Sequence, residues 1–285
     1  MKEKVKWDIL IEPNSNLFEF RIAEVWKYKY LIVMFVKRDF VSVYKQTILG
    51  PLWFLLQPIF TTLTYLFIFK NIAHLPTDNI PPILFYMSGV LFWNYFSTSF
   101  LKTADTFTAN AGVFGKVYFP RLTVPIATII STFISFGIQL IFFLFVYLYY
   151  LIIGELNFVI NYSSIFYVPF LFLLMAILSM GMGTIISAMT TKYRDLRFLI
   201  TFGIQLLMYA TPVVYPISIV TNPKIKLLLY LNPMSSIIET FRYVVLGAGS
   251  YSAPWLLYSS VVTFLIAILG IGIFNRVEKN FMDTV

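Results

Sequence analysis

The chain has 285 residues, of which 59% are hydrophobic and 12% charged, with a formal net charge of +8 and a mean hydropathy of +0.81. A soluble domain carries roughly 25% charged residues, so this composition argues against a soluble globular protein and for an all-α integral membrane protein. Cysteine is absent and His74 is the one histidine, which excludes disulfides, thiolate metal sites and a histidine metal cluster within one chain.

In chain order, residues 1–50 form a polar to amphipathic N-terminal region. Its charged start lacks the apolar core of a cleavable signal peptide. A helix is expected over about 18–49, with Lys27, Arg38 and Lys45 on one face and Ile32, Val36, Phe40 and Val43 roughly opposite. Such a basic amphipathic helix lies in a membrane interface; packing on a protein partner is the alternative. Gly50-Pro51 breaks it and turns the chain into the bilayer.

A six-span membrane domain is expected over 51–276, because apolar runs of roughly 20 residues cross a hydrocarbon core as self-satisfied helices. The spans read as about 52–71, 83–101, 123–153, 165–189, 198–212 and 254–275. Residues 102–122 read as a polar connection, Gly154 to Ser164 as a short loop, and 277–285 as a tail. Between spans five and six, prolines 212, 216, 223 and 233 punctuate two helical stretches, 224–231 and 234–246, too short to cross. They read as re-entrant half-helices, tolerated only where buried in protein or lining a wet cavity.

Charge placement sets the expected orientation. With the N terminus inside, segments 1–50, 102–122, 190–197 and 276–285 carry 9, 3, 3 and 2 Lys+Arg, or 17 of 21. The exceptions are Lys70, Lys224, Lys226 and Arg242. That asymmetry follows the positive-inside rule. It places both termini in the cytoplasm, and it accounts for the basic charge by membrane topology without a nucleic-acid partner.

No ATP-hydrolysing loop is present: Gly115-Lys116-Val117 lacks the leading glycine and the hydroxyl of a phosphate loop. No catalytic residue is identified, and the chain is not expected to be an enzyme by itself. Ser179, Gly183 and Ser187, four apart, suit close helix packing. Ionisable residues at membrane depth are functional candidates by default. Here they are scarce, which argues against an ion-coupled carrier and against a membrane-embedded glycan-modifying enzyme. Glu239 and Arg242, three apart, can pair on one helix face.

The 30 Phe, 19 Tyr and 5 Trp serve core packing and interfacial belts. Dense clusters at 91–96 and 147–150 could alternatively stack on sugar rings. In the connection after span two, Phe114, Val117, Tyr118 and Phe119 are expected to be exposed beside Lys116 and Arg121. Exposed aromatics with basic neighbours suit a docking surface or, equally, a helix lying against lipid.

Several ordered stretches resemble one family, the permease subunits of type-2 ABC exporters for O-antigen and capsular polysaccharide. Arg38-Asp39-Phe40, Tyr44-Lys45-Gln46-Thr47-Ile48-Leu49-Gly50-Pro51-Leu52-Trp53 and Gln57-Pro58 are similar to its entry into span one. Lys116-Val117-Tyr118-Phe119-Pro120-Arg121 is similar to its cytoplasmic Lys-x-x-Phe-Pro-Arg element. Arg194-Asp195, Thr211-Pro212-Val213-Val214-Tyr215-Pro216, Asn232-Pro233-Met234 and the tail from Val277 resemble its later elements.

The resemblance implies a homodimer in a bacterial inner membrane, bound to two copies of a separate ABC ATPase. It implies ATP-driven export of a lipid-linked glycan from cytoplasm to periplasm. The cargo would be of the O-antigen class or, alternatively, a capsule, a teichoic acid, a drug or haem. ATP and Mg would sit on the partner, with no cofactor on this chain. Coupling would fall to Arg38, Lys45, Phe114, Lys116, Val117, Tyr118, Phe119, Pro120 and Arg121. A periplasmic gate would include Pro212, Tyr215, Pro216, Glu239 and Arg242. Trp53, Tyr65, Trp93 and Tyr95 are the candidates for sugar contact in the channel.

Overall fold

The computed structural model describes residues 22–45, 47–155, 166–193 and 195–280. Gln46, Arg194, residues 18–21, most of the loop before Ser164 and the tail 281–285 lie outside the described residues, as do the side chains of Val43 and Lys279. Every regular element among the described residues is helical.

The expected N-terminal helix is two pieces, α1 (Ile22–Lys27) and α2 (Lys29–Tyr44), joined at Tyr28. A 3₁₀ turn over Gly50–Leu52 leads into α3 (Trp53–Tyr65), which runs on as a π-helical stretch to Ile72. Then come α4 (Pro82–Ala104), α5 (Thr106–Phe114), α6 (Thr123–Ile153), α7 (Tyr167–Thr190) and α8 (Leu196–Tyr209). Two short helices, α9 (Pro223–Leu231) and α10 (Pro233–Phe241), precede α11 (Ala253–Asn280). Helix α5 corrects the reading of 102–122 as a plain connection: Phe107 and Phe114, seven apart, are both buried, and that burial holds the segment helical.

The short helices follow from a repeated dipeptide. Asn222-Pro223 and Asn232-Pro233 each start one. The asparagine side chain accepts the N–H of Lys224 (3.0 Å) or Met234 (3.1 Å), and proline occupies the first helical position, where no N–H is missed. The second cap therefore ends α9 as it begins α10.

Among the described residues, four segments are long and apolar enough to cross a membrane: Gly50–Ile72, Thr123–Ile153, Tyr167–Thr190 and Ala253–Glu278. That fits an integral membrane protein. Helix α4 has the length, 23 residues, but carries more polar side chains. Helix α8, with 14 residues, rises only about 21 Å.

Helix α4 is the central element, with most of its side chains buried. Its Phe92 packs on Phe136 of α6, Phe172 of α7 and Phe241 of α10. Helix α7 meets α4 through Gly183, where an added Cβ would lie 2.5 Å from the Thr103 Cβ, and Ser179 and Ser187 on that face are wholly buried. Its Gly181 meets α11, where a Cβ would lie 2.7 Å from the Ala267 Cα. Because backbone cannot yield as a flexible side chain can, Gly181→Ala should lower stability by about 1–3 kcal/mol through forced separation of α7 and α11. A thermal-unfolding series on the detergent-solubilised protein checks this, and an unchanged midpoint would refute the close approach.

Candidate functional site

Two constellations stand at opposite ends of the bundle. At the distal end, away from α2, the half-helix pair is organised by one charge. Arg242 follows α10 on a π-helical turn and is wholly buried. A guanidinium carries five N–H donors, and each has an acceptor. Nε donates to Ser88 Oγ (3.2 Å); Nη1 to the Pro212 carbonyl (2.6 Å) and Glu239 Oε1 (3.1 Å); Nη2 to the carbonyls of Phe85 (3.3 Å) and Val213 (2.8 Å). The guanidinium carbon lies 3.8 Å from the Phe85 ring centroid, a cation–π contact.

Glu239, 1% exposed, completes the pair. Its Oε2 accepts from both the backbone N and the Oγ of Ser250 at 3.0 Å, and the Tyr230 hydroxyl donates to the same Oγ at 3.2 Å. One node thus ties together α4, the turn after α8, α9, α10 and the loop before α11. Gly89 makes the approach possible, since a Cβ there would lie 2.5 Å from the Val213 carbonyl oxygen and 2.8 Å from Arg242 Nη2. With its donors engaged, Arg242 acts as a clamp; this geometry offers no proton for transfer. Tyr215, also expected at this end, donates to the Tyr209 carbonyl at 3.0 Å, and Pro216 precedes a 3₁₀ turn, Ile217–Ile219.

At the other end, residues 115–122 form an elbow between α5 and α6. The expectation that Phe114, Val117, Tyr118 and Phe119 are all exposed holds for half of them. Val117 and Tyr118 point outward, at 58% and 76% exposed, with Lys116 beside them. Phe114 and Phe119 are buried. Phe119 meets Phe35 of α2 (5.7 Å) and Phe114 (5.6 Å); Phe114 meets Phe107 (6.0 Å), which stacks on Phe274 of α11 (4.5 Å). Helix α2 covers what the local pattern leaves open to solvent.

Arg121 also turns inward. Its backbone N–H donates to Glu278 Oε1 (3.1 Å), and its Nη1 to the Glu278 carbonyl (2.8 Å). Burial pushes its guanidinium below the ordinary value, with Glu278 opposing. Pro120 is half-buried. Arg38 stands over the Phe35 ring at 4.7 Å, pairs with Asp39 at 2.8 Å and donates to Asn110 Oδ1 at 3.4 Å, so α2 is fastened to α5 as well. Lys45 is exposed at the end of α2. Nearby, Asp105 and Arg197 pair at 2.8 Å, joining the end of α4 to the start of α8. Burial raises the Asp105 carboxyl above its ordinary value, and Arg197 opposes that shift.

The four aromatics expected to face a channel separate into two groups. Trp93 and Tyr95 are interior, packing on Phe96 and on Phe133 and Phe136, so their rings meet protein within one chain. Trp53 is half-exposed at the start of α3. Tyr65 is partly buried and donates to the Met208 sulfur of α8 at 3.2 Å. Sequence reasoning missed Ser88, Gly89 and Ser250; the available signal was Arg242 itself, a charge in an apolar stretch that must find acceptors. No group of three or more potential metal-ligating side chains occurs among the described residues.

Comparison with known proteins matches residues 30–246 to the ABC-2 type transporter family. The chain is 28% identical over 257 residues to an O-antigen export system permease protein RfbA of Klebsiella pneumoniae, covering 89% of this chain and 94% of the relative. It is 25% identical to its Myxococcus xanthus namesake, covering 93% and 98%. It is 23% identical to the polysialic acid transport protein KpsM of Escherichia coli, covering 83% and 89%.

Proposed function

Because the chain belongs to the ABC-2 type transporter family and is a multi-pass membrane protein, we propose that it is the permease subunit of an ATP-driven exporter of lipid-linked polysaccharide of the O-antigen class. The observation that carries this reading is a likeness to O-antigen export permeases that runs through nearly the full length of both chains. Export of a capsular polysaccharide is the second reading, favoured by the likeness to a polysialic acid transport protein. Teichoic acid, a drug or haem is a more distant cargo for the same architecture.

In this reading α3, α4, α6, α7, α8 and α11 are six spans of a bacterial inner membrane, with both termini in the cytoplasm. Helices α9 and α10 re-enter from the periplasmic side; nine residues rise only about 14 Å and cannot cross. Helices α1 and α2 lie in the cytoplasmic interface. Two copies of the chain enclose the channel, and two separate ATPase subunits bind and hydrolyse ATP with Mg.

The working cycle places the elbow beneath each ATPase. Lys116, Val117 and Tyr118 make the outward contact. Phe114, Phe119, Pro120 and Arg121 pass the motion to α2, α5 and α11, with Arg38 bracing α2 and Lys45 at its end. The Arg242–Glu239 node carries α9, α10 and the Pro212–Pro216 turn, with Tyr215, as the periplasmic gate. Trp53, half-exposed at the start of α3, and Tyr65, partly buried against α8, contact sugar.

The test is disruption of the gene in its own host. Lipid-linked glycan should accumulate on the cytoplasmic leaflet, and a plasmid copy should restore surface glycan. An ATPase should co-purify with the tagged permease. Export that survives ATP depletion but collapses with an uncoupler would refute the proposal.

A further inference from the structure

The connection between α3 and α4 contains a tight turn at the distal end. The Ile80 N–H donates to the Thr77 carbonyl (2.9 Å), and the Thr77 hydroxyl donates to the Ile80 carbonyl (2.8 Å). Between them, Asp78 and Asn79 have φ of 49° and 60°. Two successive left-handed residues make a type I′ turn, and Asp and Asn adopt that conformation most readily among residues with a side chain. Thr77 and Ile80 are buried, so the turn is fixed at its base and its local sequence specifies its shape.

The turn presents the Asp78 carboxylate to a distant segment. Ser218 Oγ donates to Asp78 Oδ1 at 2.6 Å, across 140 residues of chain. Ser218 stands in the 3₁₀ turn Ile217–Ile219 of the α8–α9 connection, beside the wholly buried Ile217. The same connection is held at Pro212 and Val213 by Arg242.

The two attachments differ in kind. The Arg242 clamp is buried, with five acceptors for its five donors, and parting it would strand charge in the interior. The Asp78–Ser218 bond is one charge-assisted hydrogen bond at an exposed site, where water can replace either partner. The turn also borders an open hollow of about 740 Å³, with Lys70 and Glu155 on its walls.

We infer that Asp78 is a positioning residue of the distal gate: its carboxylate latches the α8–α9 connection to the α3–α4 turn in the closed state, and the latch parts when the channel opens. This rests on the exporter reading for what passes through, but not for the latch itself.

The chain has no cysteine, so D78C/S218C carries the only two thiols. In cells lacking the native gene, the unbridged pair should export glycan. A short, reducible bis-thiosulfonate reagent should stop export, and a reductant should restore it, while D78C alone with the same reagent stays active. Export by the bridged pair at the unbridged rate overturns the latch. A second measurement needs neither glycan nor ATPase. In liposomes carrying the permease alone, Asp78→Asn and Ser218→Ala should each raise ion leak above wild type; leak equal to wild type in both overturns the inference. If no version, wild type included, exports glycan while leak still rises in both variants, the cargo assignment fails and the latch is supported.

Discussion

Arg242→Met is expected to be the most damaging single substitution at the distal end, lowering stability by about 3–5 kcal/mol. The side chain is wholly buried and five acceptors depend on it. Methionine fills much of the space but donates nothing. Glu239 is then left as an uncompensated charge at 1% exposure, and the carbonyls of Pro212, Val213 and Phe85 lose their donor. The diagnostic result is the double variant. Arg242→Met with Glu239→Gln removes the stranded charge, so it should recover part of the loss even though it departs further from the native sequence. Thermal unfolding in detergent, with limited proteolysis between α8 and α11, reads both. A double variant less stable than Arg242→Met would mean that the carboxylate is held by Ser250 rather than by the arginine.

The second large effect lies at the elbow, where the structure separates two roles that adjacent residues could have shared. Phe119 is 4% exposed and wedged between Phe35 and Phe114. Phe119→Ala should therefore lower stability by about 3–5 kcal/mol, as expected for emptying a buried aromatic site. Tyr118 is 76% exposed and has no such burial to lose. Tyr118→Ala should leave the unfolding midpoint where it is, abolish glycan export and leave ATP hydrolysis by the partner running. Arg121→Ala belongs with Phe119, because it unfastens the elbow from Glu278. Midpoints measured beside ATPase and export rates on the purified complex separate the cases. Normal export by Tyr118→Ala would remove the elbow from the coupling path.

Much of the architecture was legible because its signals are local. Apolar runs set the long helices. Each Asn-Pro pair caps a short helix and stops whatever precedes it, so both starts could be read within a residue, while the stretch expected to end at 246 leaves α10 at Phe241 and continues as a π-helical turn. The ion pair at Glu239 and Arg242 followed from a three-residue spacing on one helix. What could not be read depends on distant partners. Phe119 is buried by Phe35, 84 positions earlier, and no periodicity within 110–121 encodes that cover. Trp93 and Tyr95 gave the reverse error: an aromatic cluster reads alike whether it faces a lumen or fills a core. What distinguishes the two is the burial of α4 among α6, α7 and α10, which depends on distant partners. The acceptors around Arg242 are mostly backbone carbonyls, which have no sequence signature at all.

The aromatic line from Phe35 through Phe119, Phe114 and Phe107 to Phe274 joins the first long helix to the last. Synthesis proceeds from one to the other, so the elbow emerges from the ribosome long before the helix that finishes its support. During that interval Phe107 and Arg121 lack their partners Phe274 and Glu278 on α11, and the surface carrying Tyr118 has no firm base. The fold thereby makes competence for assembly a late event in biogenesis. On the exporter reading proposed above, a truncated or stalled chain can insert most of its spans and still have no finished face to offer an ATPase.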